Sequence, residues 1–409
     1  MQRHDKLLIL SFLLLNLFSW VTTIEFKYGI PVVVKYVLSV TVLGVIIWYK
    51  LKNPFKPVPG GSYYPFITIF VLWSCILIII ALLGFNSMFY LQRILGQRFF
   101  LIPYILPVIL LFTKFDIDFF GLYFRYTSIF IFFALIMQGL ILAFGPSPAS
   151  WQEQIGRIFI FDLGSGFLLL IAHTSRKRYI FYAVLVYFIV GSYLWMVFGR
   201  RGPLVEYGLI FVFMILIRLK SPFLKMADRM KIYYSGLVLV IVFIAFGYLL
   251  MSTYAFQRGF NKAGFEESRS LVFENFITDF NSTSDWVFGR GLDGRVLRTI
   301  IQGEDSGDLI ENGFLHLVLK GGLIYLVPYV LILLRASYLG FFKSNNELLK
   351  ALASLLLIYV FMMFYFNLPD YSSKFIMIWI SASACFSPQM RNYSNEEIYK
   401  AVNFNAKAD

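Results

Sequence analysis

The chain has 409 residues, 59% of them hydrophobic and 14% charged, with a formal net charge of +13 and a mean hydropathy of +0.73. No soluble domain of this length needs so much apolar surface, and apolar stretches near twenty residues recur, as bilayer-spanning helices require. The positive charge is therefore topogenic, because Lys and Arg hold loops in the cytoplasm, and nucleic acid is excluded as an expected partner.

In chain order, the first apolar run follows Arg3 and Lys6 and has no small-residue cleavage pattern, so it reads as an uncleaved first helix rather than a signal peptide. Apolar segments fall at 7–23, 30–49, 64–83, 99–112, 119–144, 158–174, 179–198, 204–217, 235–251, 310–334, 348–366 and 375–386. The fold class predicted is all-α: one polytopic membrane domain, 1–409, of about 12 transmembrane helices. The fourth, sixth, eighth and twelfth segments are short for a hydrocarbon core of about 30 Å. With the amino terminus inside, most Lys and Arg fall in cytoplasmic segments, among them Lys50, Lys52, Lys56, Arg176, Lys177, Arg178, Arg218, Lys220, Arg335, Lys343 and Arg391. Both termini are then cytoplasmic, and the one long polar interval, 252–309, is an external loop between spans nine and ten. The tail beyond Phe386 reads as a short cytoplasmic appendix or interfacial helix. The two cysteines, Cys75 and Cys385, lie in apolar segments, and no Cys/His cluster has metal-ligand spacing, so no disulfide, metal or cofactor is expected.

External basic residues work against topology and need another reason to be there. Gly199-Arg200-Arg201-Gly202-Pro203 joins two spans. Proline suits a first helical turn, whose unpaired N–H groups and positive dipole end attract anions. Guanidinium adds bidentate phosphate binding, although interface anchoring would also account for the pair. Ser268 is a fitting N-cap for an amphipathic helix carrying Phe273, Phe276, Ile277 and Phe280. Arg269 in its first turn needs an anionic partner, either Glu266 or Glu267 or a substrate phosphate. Gly289-Arg290-Gly291-Leu292-Asp293-Gly294 spells G-x-G-x-x-G outside any βαβ context, so it reads as a tight turn bringing backbone close to a neighbour or ligand. Asp305, Asp308, Glu311, Asn312 and His316 gather at the entrance to span ten, where an ionisable group is a candidate base or simply a solvated loop end.

Together these stretches resemble the O-antigen polymerase and ligase superfamily, bacterial membrane enzymes that act on undecaprenyl-linked sugars. The resemblance runs through Arg200-Arg201-Gly202, Ser268-Arg269, Gly289-Arg290-Gly291, Glu311-Asn312-Gly313-Phe314-Leu315 and Gly321-Gly322-Leu323-Ile324. It covers mainly 199–334. Glu311 stands where the ligases carry histidine, with His316 five residues on, which favours a polymerase. The R-x10-G pattern of some polymerases is absent. The resemblance implies a metal-independent polysaccharide polymerase of the bacterial cytoplasmic membrane, joining undecaprenyl-pyrophosphate-linked repeat units, with the bilayer and a chain-length regulator as further partners. Arg201, Arg269 and Glu311 are the expected catalytic residues; Arg200, Arg290, Glu267, Asn312 and His316 are the expected substrate-binding ones. An O-antigen ligase, or a lipid-linked sugar flippase or secondary transporter, is the alternative.

Overall fold

The computed structural model describes residues 3–28, 32–55, 63–84, 90, 94, 99–144, 167, 170–171, 178–198, 200–219, 230, 269–297, 306–307, 310, 312–365 and 368–402. The helices are α1 (Arg3–Tyr28), α2 (Val32–Lys52), α3 (Tyr64–Leu83), α4 (Ile102–Leu111), α5 (Ile117–Ala143), α6 (Arg178–Val197), α7 (Arg201–Leu219), α8 (Arg269–Asp279) and α9 (Thr283–Phe288). After them come α10 (Gly313–Phe342), α11 (Glu347–Met362), α12 (Ser373–Phe386), α13 (Pro388–Asn392) and α14 (Asn395–Val402). Among the described residues one small antiparallel ladder, β1 (Val296–Leu297) with β2 (Ser306–Gly307), accompanies the helices.

Six of these helices, α2, α3, α5, α6, α7 and α10, are long and apolar enough to cross a membrane. Their surfaces show why. On α3 the exposed face carries Ile69, Leu72, Ile76, Ile79, Ile80 and Leu83, and on α5 it carries Ile129, Phe132, Phe133, Ile136 and Leu140. Apolar side chains at helical spacing on the outside are stable against lipid and costly against water. Serines point inward instead. Ser74, Ser128, Ser192 and Ser381 are buried and each donates to the carbonyl four residues back at 2.7 Å, so these four hydroxyls are paired within an apolar interior.

The fourth expected span is a ten-residue helix, α4, only about 15 Å long. It has Pro103 in its first turn and Pro107 inside, and it is buried on most of its faces. The eighth is longer than expected, extending to Arg201–Leu219. The twelfth, α12, is fourteen residues, all buried except Lys374. The ninth expected span, and all of the sixth except Phe167, Leu170 and Ile171, lie outside the described residues.

Helix ends collect at two faces. At one, the Tyr49 hydroxyl donates to Asp5 at 2.9 Å, Phe55 N–H to the Phe112 carbonyl and the Ser383 hydroxyl to the Thr113 carbonyl at 2.6 Å. Asn346, fully buried, accepts from Leu349 N–H as the α11 N-cap and donates to the Met390 and Tyr393 carbonyls. Residues 387–402 of the tail therefore form a packed element. Helix α14 lies along α5, buries Ile398, and is tied down by Glu347 N–H to Asn395 and by the Tyr399 hydroxyl to Glu347. The opposite face carries the polar segment 269–297 and the starts of α7, α10 and α12.

Between the faces sits an aromatic core. Phe70 stacks on Tyr325 and on Trp379, and Tyr329 meets Trp379 edge-on, while the Tyr329 and Tyr359 hydroxyls lie 3.2 Å apart. These large rings join α3, α10, α11 and α12 into the scaffold that holds the loop face.

Candidate functional site

The polar segment has a small core of its own. Phe276 and Phe280, one turn apart on and just after α8, are buried with Val296, Ile310, Leu315, Val318 and Leu319. Trp286 packs edge-on against both phenylalanines and donates its indole N–H to the Phe280 carbonyl at 2.6 Å. Only half of the expected amphipathic face is covered, since Phe273 and Ile277 remain about half exposed, at 50% and 47%.

Arg290 is the hub of this segment. Its guanidinium reaches Asp279 at 2.5 Å and Asp285 at 2.8 Å, donates to the Asp279 and Arg295 carbonyls, and lies 4.6 Å from the Phe280 ring centroid. Burial works against its charge, but Asp285 and Asp279 outweigh that and hold its pKa above the ordinary value. Its donors are thus spent on the chain itself.

The glycine turn docks into a break in α10. Gly322 has φ +67° and ψ −175°, which splits α10 into 313–321 and 323–342. Gly289, at φ +73°, comes so close that a Cβ there would sit 2.6 Å from Gly322 N. Both conformations and the approach require glycine. The expected tight turn is therefore present, and its neighbour is this break. The second half-helix alone is about 30 Å long, enough to span. Broken backbone at such a depth must find partners within the protein, and it does. Arg290 N–H donates to the Leu319 carbonyl at 2.7 Å, and the Trp73 indole donates to the Gly321 carbonyl at 2.7 Å. Buried Lys320 donates to the Leu292 and Gly294 carbonyls, both at 2.9 Å.

The start of the short half-helix is equally settled. The Asn312 side chain accepts from Phe314 N–H and Leu315 N–H as N-cap and donates to the Phe364 carbonyl at 3.1 Å. Gly313 N–H donates to the Met363 carbonyl. His316 is fully buried one turn before Lys320, and among the described residues neither ring nitrogen has a hydrogen-bond partner.

Arg200 is exposed at the edge of α7, its N–H donating to the Trp195 carbonyl. Arg201 is the first residue of α7, three residues ahead of the expected start at 204, and Arg269 is the first of α8, in the first turn as expected. Glu267 and Glu311 lie outside the described residues. The sequence reading missed a pair at this face: Lys374 at the start of α12 binds Glu206 of α7, with Nζ 2.7 Å from Oε1 and 2.8 Å from Oε2. Glu206 in an otherwise apolar run was the available signal. Among the described residues no group of three or more His, Cys, Asp or Glu is placed to hold a metal.

The apolar outer faces of six span-length helices, packed over an apolar and aromatic core, define a multi-pass helical membrane protein. No protein-family model and no curated protein sequence matches the chain.

Proposed function

We propose that the protein is a polysaccharide polymerase of the bacterial cytoplasmic membrane, with the 252–309 segment on its outer face. It joins undecaprenyl-pyrophosphate-linked repeat units to a growing glycan. The observation that carries this reading is the placement of the start of α7, with Arg200 and Arg201, on the same face as the docked turn and the entrance to α10.

In the reaction, an acceptor sugar hydroxyl attacks the anomeric carbon of the donor glycan. The bond from that carbon to the pyrophosphate oxygen breaks, and undecaprenyl pyrophosphate departs with the electron pair. Arg201 and Arg269, with Arg200 beside them, stabilise the charge gathering on the leaving group. Glu311 takes or orients the acceptor proton, with Glu267 and His316 as the neighbouring candidates. Arg290 and Asn312 serve this chemistry by holding the loop and the short half-helix, because their polar atoms are engaged within the chain.

A flippase or secondary transporter is the second reading, and the broken α10 favours it, since discontinuous helices line many transport sites. In α10, however, carbonyls at the break and N–H groups at the start of the short half-helix already have protein partners. Arg201→Ala or Arg269→Ala is expected to abolish polymer formation while the protein still inserts. Wild-type chain-length ladders from both variants would remove the proposed site. A cysteine at Thr283 that an impermeant thiol reagent labels only after permeabilisation would place the loop inside and overturn the polymerase reading.

A further inference from the structure

We infer that Glu206 is a sugar-binding carboxylate of the acceptor subsite, oriented by Lys374; this rests on the polymerase reading. Glu206 lies five residues past the start of a membrane-spanning helix with its side chain 10% exposed, and the Lys374 side chain is 18% exposed. Replacing such a pair by apolar residues of similar shape is often neutral or stabilising, so stability alone does not account for it. Ionisable groups inside a membrane bundle concentrate where a polar ligand is handled.

The geometry is specific. A carboxylate accepts about four hydrogen bonds. Among the described residues, Lys374 is the sole donor to Glu206, one ammonium placed 2.7 Å from Oε1 and 2.8 Å from Oε2. Acceptor positions on a buried carboxylate therefore stay open to a ligand, although buried polar atoms are nearly always satisfied. A ligand that fills them must donate from neighbouring positions, which adjacent sugar hydroxyls do and a phosphate does not. The location fits. The pair joins two elements 168 residues apart in sequence, at the face that carries Arg200 and the start of α7. A donor pyrophosphate held there by arginines brings the reacting carbon to the first turns of α7, where the acceptor sugar that attacks it must also be held.

The test uses full-length protein in the host membrane, with protein level by immunoblot and polymer ladder as readouts. Arg201→Ala serves as the control for the function itself. Glu206→Gln keeps the shape and still accepts from Lys374, but loses the charge-assisted bonds to the sugar. It is expected to accumulate normally and to lower polymerisation by roughly ten- to a hundredfold. Glu206→Asp keeps the ion and withdraws it by one methylene, and is expected to accumulate normally with a clear shift to short chains. The exchange Glu206→Lys with Lys374→Glu restores the ion pair but moves the carboxylate to α12, and should not restore the ladder. A normal ladder from Glu206→Asp, or recovery in the exchanged pair, makes the ion pair structural and overturns the inference. If Arg201→Ala abolishes the ladder while Glu206→Gln leaves it intact, this inference fails and the polymerase reading stands. An intact ladder from the complete gene deletion fails both.

Discussion

Removing Arg290 gives the sharpest test of whether the glycine turn is a ligand site or a docked structural unit. Arg290→Ala deletes two charge-assisted contacts, to Asp279 and Asp285, and strands two carboxylates that are 17% and 25% exposed. Each such bond contributes about 1.5–3 kcal/mol. Partial exposure places the sum near the low end, at about 3 kcal/mol, which shifts the docking equilibrium by more than a hundredfold. Arg290→Lys keeps the charge, but one ammonium cannot span both carboxylates and two carbonyls, so about half of that loss is expected. Proteinase K added to the outer face of intact membrane vesicles reads the docking directly, as faster cleavage within 279–297. The decisive variant is the triple change Arg290→Met, Asp279→Asn, Asp285→Asn. It removes the stranded charges together, and a neutral replacement of an ion cluster restores much of the stability. If Arg290 is a staple, the triple variant regains protection and polymer. Unchanged cleavage in Arg290→Ala with lost polymer, and no recovery in the triple variant, would refute the staple and make Arg290 a substrate ligand.

Gly322→Ala forces a side chain into a backbone conformation only glycine adopts easily, and against the Val287 carbonyl, so a loss above about 3 kcal/mol is expected. A drop in the detergent-solubilised melting temperature checks it. Trp73→Phe leaves the Gly321 carbonyl without its donor at a cost of about 1–3 kcal/mol, measurable in the same melt. Asn346→Ala frees the Met390 and Tyr393 carbonyls and uncaps α11, a loss of about 2–4 kcal/mol, seen as protease release of the tail from the opposite face. Backbone and hydroxyl hydrogen bonds from Ser394 hold the Glu397 carboxyl below its ordinary pKa. This reciprocal cap therefore stabilises α14 above the unfolded carboxylate pKa and weakens as pH falls through the lower folded value. Hydrogen exchange at 395–402 should rise at acid pH in wild type and already be raised in Glu397→Gln.

What sequence could and could not show follows from the range of each interaction. The apolar spans were legible because lipid imposes a local pattern that one segment satisfies alone. The G-x-G-x-x-G was legible as a turn for the same reason, since its conformations belong to Gly289 and Gly291 themselves. Its target was not, because nothing in Gly321-Gly322 announces a break until Trp73, 248 residues away, and the turn itself supply the partners that make the break affordable in lipid. Arg290 reads as a free external cation until folding brings Asp279 and Asp285 to it, eleven and five residues away. Glu206 and Lys374 are the extreme case: each alone is an isolated charge in or beside an apolar run, and only the packed bundle makes them a pair. The residues hardest to read from sequence are thus the ones whose burial cost is met by a distant partner. In a membrane, where unmet polar groups cost most, that is also where a polar ligand can be held.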